Sequence, residues 1–293
     1  MIDFLRYQRF GLFFFIALVG VFLGAYIYKQ RTRGYAFVYS IDFTGGTQAQ
    51  VRFSADVTSA EISETLTAAG FPYAIIREFS PREFVVRVRE RGDDIANVAE
   101  TVKSVLQKHF ANNSVEIVQV DSVGAGVGAS LWWQSLRAVL ICLIAMSIYI
   151  FIRSYSVGFA MGAVGSLFHD AFLIITFCLV LDYEISINII AAILTILGYS
   201  INDTIIIFSR IRENALVLRS MPLYDVVNVS INETLRRTLL TSFFTILVVV
   251  SLIVFGGTVL RSLSLALLIG LVFGTYSSIC VASPVMLMFN KGK

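Results

Sequence analysis

Six long apolar runs constrain the fold of this chain more than any other feature. A transmembrane helix needs about 20 predominantly apolar residues. Composition supports such helices, since 57% of the residues are hydrophobic and 15% are charged, against about 25% charged in soluble proteins. The sequence therefore predicts an α-helical polytopic membrane protein with six transmembrane helices. The predicted spans are 10–28, 136–152, 157–181, 187–208, 238–257 and 263–289.

The first apolar run has the flanks of a retained helix. It follows Arg6 and Arg9 and ends in AYIYK, whereas a cleaved signal sequence is shorter and ends at small residues. We therefore expect this run to remain in the protein as its first membrane helix.

A long polar segment, 29–130, separates the first two runs. Apolar and polar residues alternate in five stretches, which is the period of a half-buried strand. Two stretches with helical spacing, 59–69 and 94–110, interrupt them. The order β-β-α-β-β-α-β, without its first strand, is the split βαβ pattern of an α+β ferredoxin-like domain. The predicted strands are 36–42, 47–53, 73–79, 83–89 and 115–121.

Specific residues mark the ends of the two helices predicted in this domain. Thr58 and Glu61 have the spacing of a capping box, and Gly70 follows the first helix as a C-terminal cap. Asp93 or Asp94 is expected to begin the second helix.

The distribution of Lys and Arg predicts the orientation, because cytoplasmic loops between membrane helices are rich in these residues. Both termini and the loop 209–237 lie on one side and are basic. We therefore expect both termini in the cytoplasm and the domain 29–130 outside the cytoplasmic membrane. Lys29, Arg31 and Arg33 oppose this assignment, but long domains are translocated regardless of charge. The predicted division of the chain is 1–28, 29–130 and 131–293.

Polar residues in two predicted membrane helices fall on narrow stripes. Asp203 lies on a stripe of helix four about 100° wide, with Asn202 beside it. In helix five, Arg237 shares one face with Thr241 and Thr245. Such stripes face other helices or a water-filled cavity, not lipid. The helix-four stripe consists of Thr195, Tyr199, Asn202, Asp203 and Arg210.

Asp203 and Arg237 allow two interpretations. An intramembrane aspartate that gains and loses a proton can convert the proton-motive force, about 2.3 kcal/mol per 100 mV, into helix movement. The same two residues could instead form a static ion pair that holds two helices together. Arg210, Arg212 and Glu213 are expected to be the solvated end of helix four.

Helix three combines small residues with ionisable ones. Gly158, Gly162, Ser166 and Asp170 recur at every fourth position, and His169 lies next to the aspartate. Small residues at this spacing allow helices to approach closely. His169 and Asp170 are secondary candidates for proton coupling, with structural hydrogen bonding as the alternative. Helix six repeats the small-residue spacing with Gly270, Gly274 and Ser278.

Other motifs indicate structure rather than chemistry. Gly45 and Gly46 are read as a hairpin turn between two strands. Gly124, Gly126 and Gly128 lack the strand–turn–helix context of a nucleotide site and are read as a linker. The three cysteines lie in apolar runs and form no disulfide or metal pattern. We therefore expect no catalytic residues, no cofactor, no metal and no nucleic-acid partner, in a protein that is not an enzyme.

Five stretches of this chain carry recognisable motifs: IDFTGGT (41–47), VGAGVGASL (123–131), GYSINDTIIIFSRIREN (198–214), NVSINETLRRTLLTS (228–242) and FGG (255–257). Together they resemble the SecD/SecF family of protein-export membrane proteins, and the helix-four stretch is similar to the signature of its SecF branch. His169-Asp170 matches a His-Asp pair in helix three. Ala125 and Ser209 stand where the family usually has Pro and Asp. The resemblance covers essentially the whole chain.

The resemblance implies a function and a set of partners. The family belongs to the resistance–nodulation–division superfamily of proton-driven transporters, so this chain would be half of a twelve-helix unit completed by SecD. It would join the SecYEG channel, with YajC as a further candidate partner, and use the proton-motive force to promote export of unfolded preproteins after the ATP-driven step. The family's proton site carries over to Asp203 and Arg237, with Asn202 adjacent. Its motif positions here are Asp42, Gly45, Gly46, Gly198, Gly256 and Gly257.

Two other functions fit the same sequence. A transporter of a small molecule or lipid from this superfamily would need two copies of the chain, because such exporters usually carry twelve helices. A passive assembly subunit would use the charges only for structure. The sequence leaves open whether Arg237 pairs with Asp203 or with an aspartate of SecD.

Overall fold

The computed structural model of the protein describes residues 2–88, 95–111, 113–154 and 156–290. The chain forms two compact units, Met1–Val38 with Leu136–Lys293, and Tyr39–Ser135. The elements in chain order are α1 (Gln8–Arg33), α2 (Ile41–Thr44), β1 (Gly46–Phe53), α3 (Ser59–Ala68), β2 (Ile75–Ser80), β3 (Glu83–Val88), α4 (Ile95–His109), β4 (Val115–Val123), α5 (Ala125–Ser154), α6 (Val157–Val180), α7 (Ile187–Val217), α8 (Leu223–Phe255), α9 (Gly257–Ser277) and α10 (Ser283–Phe289).

Six helical segments of the described chain are long and apolar enough to cross a membrane, which confirms the predicted number. Five of them are single helices. The sixth combines α9, a π-helical turn and α10. The spans are Arg9–Arg33, Gly126–Ser154, Val157–Val180, Ile187–Val217, Leu223–Phe255 and Leu260–Phe289.

The segment 209–237 is not the loop that the sequence predicted. Helix α7 continues to Val217 and α8 begins at Leu223. Polar cross-links hold the extended ends of the two helices together: Arg210 donates to Glu233 at 2.6 Å, and Asn214 donates to the same carboxylate at 2.7 Å. These hydrogen bonds stabilise α7 and α8 as helices beyond the ends of their apolar runs.

The sixth span contains an irregularity that apolar spacing did not predict. Residues Ser278–Ala282 form a π-helical turn, and Pro284 follows in the first turn of α10. Proline offers no N–H and its ring crowds the carbonyl four residues back, which here belongs to Cys280. A π-helical turn accommodates this mismatch without ending the helix.

The second unit contains a four-stranded antiparallel sheet in the order β2-β3-β1-β4. With its two helices, this is the split βαβ arrangement expected of a ferredoxin-like domain. One hydrophobic core joins the sheet to α3 and α4. It includes Phe53, Ile62, Leu66, Phe84, Val102 and Leu106.

The capping box at α3 is confirmed. The backbone N–H of Thr58 donates to Glu61 at 2.9 Å, and the N–H of Glu61 donates back to the Thr58 hydroxyl at 3.4 Å. Hydrogen bonding by Thr58 lowers the pKa of Glu61. Gly70 follows the helix with φ 94°. The predicted start of the second helix, at Asp93 or Asp94, lies outside the described residues.

The predicted strand 36–42 is wrong, and so is the hairpin turn at Gly45 and Gly46. The Ser40 hydroxyl accepts a hydrogen bond from the Asp42 N–H and caps the short helix α2. Gly45 then ends α2 with φ 72°, and Gly46 begins β1 with φ 119°. The positive φ angles of both positions favour glycine. They occur at a junction between a helix and a strand, not in a hairpin between two strands.

The glycines at 124, 126 and 128 do not form the predicted linker, because α5 already begins at Ala125. A Cβ on Gly128 would lie 3.0 Å from the backbone carbonyl of Phe43 and 3.1 Å from the amide nitrogen of Gly45. Trp132, one turn further along α5, packs edge-on against the Phe43 ring at 5.3 Å. The two glycine motifs therefore touch, and backbone contact explains the need for glycine at 128.

Two basic residues near the C-terminal end of α1, Lys29 and Arg33, have partners in the structure. The buried Lys29 ammonium donates to the carbonyl of Leu179 and to Asp182, both at 2.6 Å, and Arg33 donates to Asp182 at 3.0 Å. Burial alone would raise the pKa of Asp182, but its bonds to Lys29 and Arg33 outweigh this and lower it. A cation at the carboxyl end of α6 also suits the helix dipole. These positive charges are thus neutralised locally and carry less weight for orientation.

Candidate functional site

Asp203 is a buried and unsatisfied carboxylate in α7. Its exposed fraction is 1%, and neither carboxylate oxygen has a hydrogen-bond partner among the described residues. It lies about 24 Å along the helix from Ile187 at 1.5 Å per residue, which is within the ~30 Å thickness of a hydrocarbon core. Burial of a charged carboxylate without a partner is energetically costly. A proton on Asp203 or a cationic group outside this chain would lower that cost.

Arg237 lies on α8 about one helical turn from the level of Asp203. The hydroxyl of Thr245 donates to Tyr199 at 3.2 Å, and Arg210 bonds Glu233 further along the same helix pair. Both Asp203 and Arg237 fall between these two cross-links. The Arg237 side chain is exposed on this chain, and it forms no ion pair with Asp203 in the described structure.

The predicted stripe on α7 lies at the border between the interior and the surface of the chain. Thr195 and Asn202 are exposed, Tyr199 is half-buried, and Asp203 is buried. Asn202 therefore points away from its neighbour, as expected for residues about 100° apart on a helix. The structure places Asp203 and Arg237 on adjacent helices about one turn apart, with Asn202 and Arg237 on the exposed surface.

Asp170 has the opposite environment to Asp203. Its Oδ2 accepts hydrogen bonds from Ser200 at 2.6 Å and Ser277 at 2.9 Å, and its Oδ1 lies 3.1 Å from His169 Nδ1. These bonds join α6, α7 and α9 at a fully buried position. The arrangement favours the structural interpretation of Asp170, while a role in proton coupling stays a prediction.

The small-residue ladders do bring helices close together. A Cβ on Gly162 would come 2.5 Å from the carbonyl of Ala282, and one on Gly270 would overlap Ile196 at 2.4 Å. Gly274 leaves room for Ser200, whose Cβ would be 3.5 Å away. The close approach predicted from the spacing is therefore confirmed.

The remaining motif residues have structural positions. Gly256 ends α8 and Gly257 begins α9 with φ 67°, which makes the tight turn between the two helices. Gly198 faces Met146 of α5 at 3.9 Å. Arg212 donates to the carbonyl of Arg153 at 2.5 Å, so the end of α7 is cross-linked rather than merely solvated.

Sequence reasoning missed an asparagine pair on α8. The side chain of Asn232 accepts from the Ile2 N–H at 2.9 Å and donates to the Ile2 carbonyl at 2.8 Å. Asn228, one turn earlier, accepts from the Phe4 N–H at 2.9 Å. The i, i+4 spacing of two asparagines was a visible signal, but their partner lies more than 220 positions away in the sequence.

The described residues contain no group of three or more His, Cys, Asp or Glu side chains that could hold a metal ion. The three cysteines are free thiols.

Comparison with known proteins identifies the family. The family described as "Protein export membrane protein SecD/SecF, C-terminal" matches residues 101–292, and the "SecD/SecF GG Motif" matches residues 36–57. The chain belongs to the SecD/SecF family of export membrane proteins and is a multi-pass membrane protein.

Relatives of similar length are called protein translocase subunit SecF. That of Thermodesulfovibrio yellowstonii is 36% identical over 94% of this chain and 91% of its own length. That of Rhodothermus marinus is 38% identical over 92% of this chain and 88% of its own length.

A solved structure has the same fold. The crystal structure of SecDF, a translocon-associated membrane protein from Thermus thermophilus, aligns with 99% of this chain at 34% identity and a TM-score of 0.86. SecDF in its super-membrane-facing form aligns with a TM-score of 0.69 at 33% identity. This chain spans 39% of the length of each SecDF chain.

Proposed function

We propose that this chain is an accessory subunit of the Sec translocase. With a SecD partner, it would use the proton-motive force to promote export of unfolded preproteins across the cytoplasmic membrane after the ATP-driven step. It acts without catalytic residues or a cofactor. Its further partners are the SecYEG channel and YajC, with both termini in the cytoplasm and the α+β domain outside.

The observation that carries this proposal is the unsatisfied carboxylate of Asp203. A charged carboxylate without hydrogen bonds is costly in hydrocarbon, whereas a protonated acid is less so. Gain or loss of one proton therefore changes the energy of this position by several kcal/mol. The proton-motive force supplies about 2.3 kcal/mol per 100 mV for each proton, enough to shift a two-state helix arrangement.

The exposed face of α7 and α8 supports a SecD partner beside this site. Asn202 and Arg237 project from a membrane span at a level where lipid would be a poor neighbour. A partner helix with an acid at this level would neutralise Arg237. When Asp203 is protonated, Arg237 pairs with the partner's acid. When Asp203 is charged, it competes with that acid for Arg237.

Measurement of proton-motive-force-dependent preprotein export into membrane vesicles tests the proposal. We expect Asp203→Asn and Arg237→Ala each to abolish the stimulation while the complex with SecD still assembles. Asp225→Asn and Arg236→Ala are matched controls at exposed positions of α8 and should export normally. Normal stimulation in both site variants would refute proton coupling through this pair. Loss of the SecD complex in both would instead favour a static ion pair.

A further inference from the structure

A groove of about 860 Å³ lies in the membrane unit between α1, α6, the π-helical turn and α10. Its walls are mostly apolar. At its rim, Leu12, Phe168 and Met288 are each more than half exposed although all three lie within membrane spans. The groove therefore opens on the apolar surface of the chain, where a membrane supplies hydrocarbon rather than water.

One end of the groove is polar and the other is closed by rings. Arg9, Tyr224 and Asn290 line the first end. At the other end His169 is buried, with its ring 5.9 Å from that of Phe15. From Asn290 to Cys280 the helix rises about 15 Å, which is half of the ~30 Å hydrocarbon core. The groove thus has the depth of one leaflet, with its polar end at the headgroups.

We propose that this groove binds one phospholipid, with an acyl chain along the apolar wall and the phosphate on Arg9. Arg9 forms no ion pair in the described part of the chain, and a guanidinium binds phosphate oxygens in pairs. Tyr224, which lines the same end, donates to Asp3 at 3.2 Å. The phosphate, which all phospholipid headgroups share, is the group that Arg9 binds.

The volume and lining of the groove suit an acyl chain. Its volume of about 860 Å³ lies within the range of about 300–1,000 Å³ found for small-molecule sites, and its mostly apolar walls match hydrocarbon. This inference does not rest on proton coupling through Asp203 and Arg237, because neither residue lines the groove.

Gly165 provides a variant that fills the groove without disturbing the fold. It lines the wall, and a Cβ there would meet only the Val285 side chain, at 3.6 Å. Gly165→Leu should therefore project into the groove. Gly20→Leu is the matched control, because a Cβ on Gly20 meets nothing within 4 Å and Gly20 lies away from the groove.

Native mass spectrometry of the full chain, excised from membranes in polymer nanodiscs, tests the proposal. We expect one retained phospholipid in the wild type, at least tenfold less in Gly165→Leu, and unchanged retention in Gly20→Leu. Arg9→Gln should weaken retention several-fold, whereas Arg153→Gln, also exposed at a helix end, should not. Exchange into nanodiscs of phosphatidylglycerol or phosphatidylethanolamine should show binding of both.

Three results would overturn the proposal. Equal retention in Gly165→Leu and the wild type would place the lipid elsewhere. Equal loss in Gly165→Leu and Gly20→Leu would indicate non-specific annular lipid. Detergent alone, or a polypeptide segment, found in the groove by electron cryomicroscopy would assign it a different occupant.

Discussion

Two aspartates lie buried in neighbouring membrane helices and differ in every contact they make. Asp170 in α6 accepts two serine hydroxyl bonds and lies beside a histidine nitrogen, whereas Asp203 in α7 has no hydrogen-bond partner among the described residues. Both are about 1% exposed. Burial alone therefore does not distinguish the two acids; the number of hydrogen bonds that each makes does.

The comparison follows from the energetics of buried polar groups. A buried acid with several bonds is part of the packing, and its removal leaves its donors unpaired. A buried acid with none loses its hydration without compensation and therefore lowers stability. Asp170 ties α6, α7 and α9 together, while Asp203 lies next to the surface on which Arg237 is exposed.

The largest expected effect comes from removing the bonded acid. Asp170→Ala should lower the free energy of unfolding by about 3 kcal/mol, because it leaves Ser200 and Ser277 without their acceptor in the interior. Denaturant titration of the purified chain, followed by circular dichroism, measures this. A loss below about 1 kcal/mol would remove the distinction between the two aspartates.

An intermediate effect is expected at Asp182, which contacts the C-terminal end of α1. Asp182→Asn should cost about 1 kcal/mol, since this carboxylate is partly exposed and its bonds to Lys29 and Arg33 are screened. The pKa of Asp182 is lowered in the folded protein, so its contribution is present above the usual aspartate pKa, about 4. It is lost as pH falls through the lower folded pKa.

Thermal unfolding of both forms between pH 7 and pH 3 checks this expectation. The wild type should exceed Asp182→Asn at neutral pH, and the two curves should converge at acid pH. A difference that grows as the pH falls would contradict the assigned ion pairs.

The smallest expected effect on stability is at the unbonded acid. Asp203→Asn should lower the free energy of unfolding by less than about 1 kcal/mol or raise it, because no hydrogen bond is lost and an unpaired buried charge is removed. The same denaturant titration, run beside Asp170→Ala, provides the comparison. Destabilisation equal to that of Asp170→Ala would show that Asp203 has a structural partner after all.

The sequence predicted those parts of the fold that depend on local pattern. Apolar length specified six spans, and the Thr58–Glu61 spacing specified the start of α3. The alternation of apolar and polar residues predicted one strand too many. At 36–42 it did not take into account that the Ser40 side chain caps a helix beginning at Ile41. The predicted loop 209–237 failed for a related reason: apolar runs mark where hydrocarbon ends, not where a helix ends.

The candidate site was predicted in composition but not in geometry. The stripes located Asp203, Arg237 and Asp170, since polar residues in apolar runs are conspicuous. The sequence did not show which of the two acids accepts hydrogen bonds. One donor to Asp170 is Ser277, more than a hundred positions away, and no local pattern contains that contact. The π-helical turn likewise depends on how Pro284 is accommodated, which hydrophobic spacing does not report.

The asparagine pair on α8 has a consequence for the order of assembly. Segment 2–5 leaves the ribosome long before α8 exists, yet its backbone bonds end on Asn228 and Asn232, 224 and 230 positions downstream. Contacts of such long sequence separation form late. The N-terminal segment 2–5 therefore cannot form these hydrogen bonds while the first four spans are inserted. It forms them only after α8, the fifth span, is in place.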